Sequence, residues 1–410
     1  MKPVSFLSQN WFALAAVLIP AGLFLGLLPH NTTVYYAFML LLVGRSIINF
    51  RQISIAAIIL LMVCALSILC GNADPLFRSW ERLGLFALLL LAYFPIFRSA
   101  YFDRLCSKTF PMMLFVVIFT CIGSFIGYFF GINYMGRRGG ESLYDIDTAG
   151  KFGGLTPHSM MLGPICAIAL TVLVWLLIEQ ATTKKTRIII SGAAFASFCC
   201  MMLSASRSAN IAGVAGVVLI LFLKYRNRIG KMLQIVIIGA LLAVILSPVY
   251  MPYANKVLEK QHKNEEAGST FSSREDRWEH RLQEFSEYPI FGYGFCAIDT
   301  HCYGEYMPST GIVEPGSSWL AILSMTGLVG MACFLALLLP TIIKLYRKVN
   351  READRWALLH LGILAVFLVH FIAEGYVFAA GGALCFLFWF FFGCATAYAR
   401  NPTPYTLNMN

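Results

Sequence analysis

Apolar stretches of roughly 15–23 residues, long enough to cross a bilayer as tilted helices, follow one another from Trp11 almost to the C-terminus. Short polar interruptions part them. The pattern predicts spans at 11–28, 34–48, 53–70, 83–97, 109–131, 159–178, 188–203, 211–223, 232–250, 318–340, 356–373 and 377–397. The expected fold class is an all-α polytopic membrane protein of about 12 transmembrane helices. It forms a single membrane domain over 1–410, with a partly helical external loop at 251–317 between helices 9 and 10. The first apolar run leads into Pro29-His30-Asn31-Thr32-Thr33 and a second apolar run rather than a small-residue cleavage site. It therefore reads as helix one and not as a signal peptide.

Composition removes the soluble alternatives. The 410 residues are 59% hydrophobic and 13% charged, too little polar side chain to cover a water-soluble globule of this size. With the N-terminus inside, 19 of the 31 Lys and Arg fall in the cytoplasmic segments, as the positive-inside rule requires. Both termini are expected in the cytoplasm. The net charge of +10 then reflects orientation and the attraction of membrane lipids, so no nucleic-acid partner is implied. Most of the twelve cysteines lie inside apolar runs, where they serve as small packing residues. Cys296 and Cys302 share an external loop and either pair as a disulfide or remain two thiols in a half-buried loop.

Cytoplasmic connections are simple basic turns, whereas three external segments are richer than topology needs: 132–158, Ser204–Asn210 and 251–317. A loop of the last length is uncommon without a role. Ser272-Ser273-Arg274-Glu275-Asp276 carries a capping-box pattern that opens a helix near Arg274. Trp278, Leu282 and Phe285 recur along it as an apolar stripe bordered by Arg274, Arg277 and Arg281. Such a helix either presents its arginines to an anion or lies on the surface with them paired to Glu275, Glu279 and Glu284. Arg207 sits in the tight turn Ser204-Ala205-Ser206-Arg207-Ser208-Ala209, where it either snorkels or binds a phosphate or carboxylate.

The loop before helix six holds Arg137, Arg138, the Asp145-Ile146-Asp147 pair and His158. Asp-x-Asp can hold a divalent metal beside a pyrophosphate, although the spacing is common by chance. His158 is a donor to substrate or an interfacial histidine satisfied by backbone. His370 and Glu374, four apart near the outer end of helix eleven, share a helical face. They are either functional or a mutually satisfying pair.

Three patches together resemble the O-antigen ligase and O-antigen or exopolysaccharide polymerase superfamily of bacterial membrane glycosyltransferases. Ser206-Arg207-Ser208 is similar to its Ser-Arg-small motif after a central span. Arg274 and Trp278, followed by Pro289-Ile290-Phe291-Gly292-Tyr293-Gly294-Phe295, resemble its Arg-x3-Trp helix and Pro-x-x-Gly-x-Gly-Phe stretch. Pro315-Gly316-Ser317-Ser318-Trp319-Leu320 and Gly327-Leu328-Val329-Gly330 resemble its Pro-His-Asn-x-x-Leu stretch ending in Gly-Leu-x-Gly. The chain departs from that pattern at Gly316, where many ligases have histidine.

The resemblance implies an inner-membrane enzyme of the cell envelope. It would transfer or polymerise glycan from an undecaprenyl-pyrophosphate-linked donor onto an acceptor hydroxyl at the periplasmic face. The acceptor would be a glycan or lipid A-core, and no cofactor or metal is implied. Polymerase is slightly favoured because Gly316 replaces the ligase histidine. In this reading Arg207 and Arg274 are catalytic and stabilise the pyrophosphate leaving group. Arg277, Arg281, Arg137, Arg138 and His158 bind substrate. Glu314 replaces the missing histidine as general base, with His301, His370 and Glu374 in reserve. The rival reading is a transporter or flippase of lipid-linked glycan, which predicts two related halves; no such repeat is visible.

Overall fold

The computed structural model describes residues 3–25, 32–48, 50, 52–133, 152–228, 275–300, 313 and 315–400, with a few isolated positions between 230 and 251. Among these residues lie twelve helices: α1 Pro3–Ala21, α2 Thr32–Ile48, α3 Ile55–Cys70, α4 Ser79–Tyr93, α5 Ala100–Phe129, α6 Ser159–Glu179, α7 Lys184–Leu203, α8 Arg207–Tyr225, α9 Glu275–Glu287, α10 Ser318–Glu352, α11 Arg355–His370 and α12 Ala383–Arg400. Two short strands, β1 Gln52–Ile53 and β2 Phe97–Arg98, pair antiparallel with Gln52 opposite Arg98. Helices α5 to α8, α10 and α12 are long and apolar enough to cross a membrane, and α1, α2, α3 and α11 are shorter apolar helices. The chain is thus an all-α integral membrane protein. Most of the expected span 232–250 lies outside the described residues.

Several boundaries move for local reasons. α5 starts nine residues before the expected span because Ser99 caps it, its hydroxyl accepting from the Phe102 amide at 3.0 Å. α10 continues past residue 340 through a basic stretch to Glu352. The last helix begins at Ala383 and not at 377, because residues 371–382 form a loop folded over the start of α10. In that loop the Val377 carbonyl accepts from Trp389 Nε1 at 2.8 Å.

α12 is the central post, with 89% of its span buried, whereas α7 at 28% is peripheral. Phe386, Phe388, Trp389, Phe390, Phe391 and Phe392 make α12 apolar all round. That composition suits a helix enclosed by others. Their rings meet Phe86, Phe94, Phe110, Phe334, Phe367 and Phe371 mostly edge to face or tilted. α8 runs antiparallel to α11, and Gly216 lets the two approach closely, since a Cβ there would lie 3.1 Å from the Gly362 carbonyl oxygen.

The helix ends sort into two sets. At one end, Arg98 donates to Gln52 at 2.9 Å, Lys224 pairs with Glu179 at 2.5 Å and Arg226 bonds Asn350. Asp354 caps α11 at this basic end and accepts from the Tyr398 hydroxyl at 2.8 Å. At the opposite end lie Gly71, Arg82, the turn 204–207, α9, the segment 288–299, Ser317 and the loop 371–382.

Candidate functional site

The site end is organised around a break in α10. Gly327 adopts φ 67° and ψ −169° inside that helix, a backbone state that side chains disfavour. The break leaves helical groups unpaired, and the segment after α9 takes them up. Tyr293 N donates to the Ser324 carbonyl at 2.7 Å, while Leu328 N and Val329 N donate to the carbonyls of Pro289 (2.9 Å) and Ile290 (3.2 Å). The Pro-x-x-Gly-x-Gly-Phe and Gly-Leu-x-Gly stretches are therefore two halves of one junction. On its other side Asn72 N donates to the Tyr293 carbonyl at 2.9 Å, tying in the end of α3.

α9 forms at the expected place but buries a different face. Leu282 is 51% exposed, whereas Arg281 and Glu284 are wholly buried. Arg281 Nη1 donates to Glu284 Oε2 at 2.8 Å, Ser324 Oγ at 3.0 Å and the Ala297 carbonyl at 3.3 Å. Glu284 Oε1 accepts from Asp299 N at 2.7 Å. Arg281 locks α9 to α10 and to the segment 288–299, and its pairing with Glu284 is one of those the alternative reading of α9 expects, here buried instead of on the surface. A buried charge pair is stabilised by hydrogen bonds from neighbouring segments, which the helical wheel of one segment does not reveal.

Trp278 and Arg277, one turn earlier, face the start of α10. Trp278 Nε1 donates to the Gly316 carbonyl at 3.3 Å. Gly316 has φ 71°, and a Cβ there would lie 3.1 Å from Arg277 Cβ and 3.4 Å from Trp278 Cδ1. Position 316 therefore suits glycine. Beyond it, Ser317 Oγ donates to the Phe371 carbonyl at 3.0 Å and Ser318 Oγ to the Glu374 carbonyl at 2.7 Å. These bonds draw the loop 371–382 onto Pro315 and the start of α10.

A cavity of about 290 Å³ opens between these pieces. Val313 and Pro315, the neighbours of Glu314 on either side, line it together with Arg82, Cys296, Gly375 and Phe378. Arg82, in the first turn of α4, donates from Nη1 to the Cys296 carbonyl at 3.4 Å. The sequence reading missed Arg82. Its signal was present, because an arginine opening an apolar helix at the end away from the basic turns runs against the charge rule that orients the rest. Cys296 is a buried thiol donating to the Phe378 carbonyl at 3.4 Å, so it stands as a thiol and not in the disulfide alternative. Burial pushes that thiol up to about 12, against the opposing pull of Arg82 and Arg281.

Arg207 begins α8 directly after the cap Ser206, and the preceding Ala205 takes a left-handed φ of 52°. The turn packs on α6, where a Cβ at Gly163 would come within 2.9 Å of Ser204 Oγ. His158 caps α6, its Nδ1 accepting from Met160 N at 3.0 Å, which realises the backbone-satisfied alternative for that nitrogen. From the Gly216 contact to Arg207 is ~14 Å along α8, and from Gly362 to His370 ~12 Å along α11. The antiparallel pair thus brings both to the same end.

His370 is buried, with Nδ1 3.1 Å from the Tyr376 hydroxyl. Glu374 follows the helix in a turn, its amide donating to the His370 carbonyl at 3.1 Å. α11 ends at His370, and the turn that follows keeps Glu374 four residues on, one hydrogen-bonded turn from His370. Burial and the Glu374 carboxylate raise the Tyr376 phenol well above its usual value, so it stays protonated. Glu314, Arg274, Arg137, Arg138, His301, Asp145, Asp147 and Cys302 lie outside the described residues. Among the described residues no group of three or more His, Cys, Asp or Glu is placed to hold a metal ion.

No curated protein matches the chain. A family model does: the one described as O-antigen ligase matches residues 192–335. That stretch holds Arg207, α9, the junction at Gly327 and Gly316. Over that stretch the chain is similar to the O-antigen ligase family, which supports the resemblance to the O-antigen ligase and polymerase superfamily.

Proposed function

We propose that this protein transfers glycan from an undecaprenyl-pyrophosphate-linked donor onto a sugar hydroxyl at the periplasmic face of the bacterial inner membrane. About twelve spans and both termini in the cytoplasm complete this reading. The observation that supports it best is the cavity walled by Val313 and Pro315 with Arg82 on its rim. It joins a fixed cation to the segment that carries Glu314. An apolar cavity with few, placed polar groups suits a lipid-linked ligand.

In the proposed reaction the acceptor oxygen attacks the anomeric carbon and the bond from that carbon to the pyrophosphate oxygen breaks. The hydroxyl proton passes to the Glu314 carboxylate, and undecaprenyl pyrophosphate leaves with its charge met by Arg207, Arg274 and Arg82. Attack in line with the leaving group inverts the anomeric centre. Cations positioned where charge develops lower such barriers most. Glu314 takes the base role because position 316 is held in a left-handed backbone against Trp278. Arg277, Arg137, Arg138, His158, His301, His370 and Glu374 remain as contributors to binding.

A polymerase acting on carrier-linked repeats is favoured over a ligase acting on lipid A-core, since the ligase histidine is absent. The test is deletion of the gene followed by gels of lipopolysaccharide and exopolysaccharide. Loss of long chains is expected; free polymer without attachment would indicate a ligase. Unchanged glycans of both kinds would overturn glycan transfer altogether.

A further inference from the structure

A second pocket, of about 110 Å³, lies at the basic end of the bundle, between α3, α10 and α12. Its wall includes Lys344 and Arg400, the hydroxyls of Thr341 and Thr396, and the Ala336–Pro340 step of α10. Thr341 donates to the Leu337 carbonyl at 3.1 Å, and the two threonine hydroxyls stand 3.1 Å apart. They satisfy each other and need no ligand. Pro340 has no amide hydrogen, so the Ala336 carbonyl lacks its helical donor. Neither Lys344 nor Arg400 makes a hydrogen bond or ion pair among the described residues. The charged groups near Arg400 are Arg98 and Asp103, and Arg98 is already held by Gln52. With Lys344 counted, cations outnumber the one carboxylate.

The flanks of this pocket are apolar and exposed. Ile55 and Ile59 on α3, and Leu339 and Ile343 on α10, each form an i, i+4 pair turned outward. A phosphate-sized, positively charged hollow bordered by lipid-facing apolar side chains has the two-part chemistry of a phospholipid. We propose that it binds the phosphodiester of an anionic glycerophospholipid. The phosphate lies between Lys344 and Arg400, a headgroup hydroxyl meets the Ala336 carbonyl, and the acyl chains run along Ile55, Ile59, Leu339 and Ile343. Basic pockets between membrane helices recognise lipid headgroups in this way. The site is remote from the glycan cavity, and its test does not depend on the transfer reaction.

The purified full chain in a neutral detergent is titrated with phosphatidylglycerol, phosphatidylethanolamine or inorganic phosphate, and read by native mass spectrometry and thermal unfolding. Phosphatidylglycerol is expected to bind at one tight site and raise Tm. The double substitution Lys344→Gln with Arg400→Gln should weaken that binding about tenfold or more. Equal binding of phosphatidylethanolamine, or undiminished binding by the double variant, would overturn the proposal. Inorganic phosphate binding as tightly as the lipid would overturn the lipid assignment. If the double variant is unstable without lipid, Arg400→Lys decides: it keeps the charge and must retain binding, and loss of binding in a folded protein counts against the site.

Discussion

The indole nitrogen of Trp278 donates to the carbonyl of Gly316 at 3.3 Å, so the arginine-bearing helix α9 is pinned to the position where the ligase pattern that the chain resembles has histidine. The consequence concerns repair of the family pattern. Gly316→His does not supply a base, because the side chain starts from a left-handed backbone and meets Arg277 and Trp278. The conformational term alone costs about 1 kcal/mol. Glycan transfer by Gly316→His is expected to fall rather than rise, measured in cells at matched protein level. Trp278→Phe keeps an aromatic ring, smaller than the indole, and loses the hydrogen bond, with a smaller loss.

Arg281 and Glu284 are expected to matter for stability. Arg281→Ala leaves a fully buried carboxylate without its cation, and breaking such a pair typically costs about 3–5 kcal/mol. Thermal unfolding in detergent should show a large drop in Tm, and Glu284→Gln a drop in the same direction. An Arg281→Ala variant with wild-type Tm would show that the pair does not anchor α9.

Arg207 and Arg82 should behave in the opposite way, with activity lost and stability kept. Removing one group that meets the leaving charge typically costs about 10²–10³ in rate. Arg207→Ala and Arg82→Ala are each expected to lower transfer to that extent with unchanged Tm. Arg82→Lys should restore part of it, since the charge returns without the planar fork. Normal transfer in Arg207→Ala would remove that arginine from the mechanism.

Glu314→Gln separates base chemistry from binding. The expected outcome is a loss of turnover of about 10²–10⁴ with donor binding retained, followed by isothermal titration with the lipid-linked donor. Wild-type turnover would eliminate Glu314 as the base.

Cys296 makes a prediction in pH. Its thiol is raised from 9.0 to about 12 by burial, so the folded protein holds that proton more tightly than the unfolded chain. The stabilisation is complete below pH 9 and is lost as pH rises from 9 to 12, because the unfolded thiol ionises first. Wild type should lose more Tm between pH 8 and 10 than Cys296→Ala does. The folded protein should also resist maleimide at Cys296 at pH 8, since the thiolate is the reactive form.

Two kinds of information are separated in this chain. Local order was legible in the residues: apolar runs placed most helices, the Ser-x-x-Asp/Glu pattern placed α9, and the motifs around Arg207, Gly292 and Gly327 pointed to the family. What failed was any inference about which face of α9 turns inward. A helical wheel ranks side chains by hydropathy, yet Arg281 and Glu284 go inside, where Ser324, Ala297 and Asp299 supply hydrogen bonds to Arg281 Nη1 and Glu284 Oε1. Those partners come from other segments.

By itself, then, the sequence determined an α-helical membrane chain, the placing of most of its helices and the resemblance of its later half to the O-antigen ligase family, since each depends on hydropathy and spacing within short stretches. The tertiary structure decided that Gly327 and the segment 288–299 make one junction, that Arg82 joins the cavity beside Val313 and Pro315, and that position 316 suits glycine. These are contacts between residues far apart in the chain, and their energies depend on distances and backbone angles that no single segment contains.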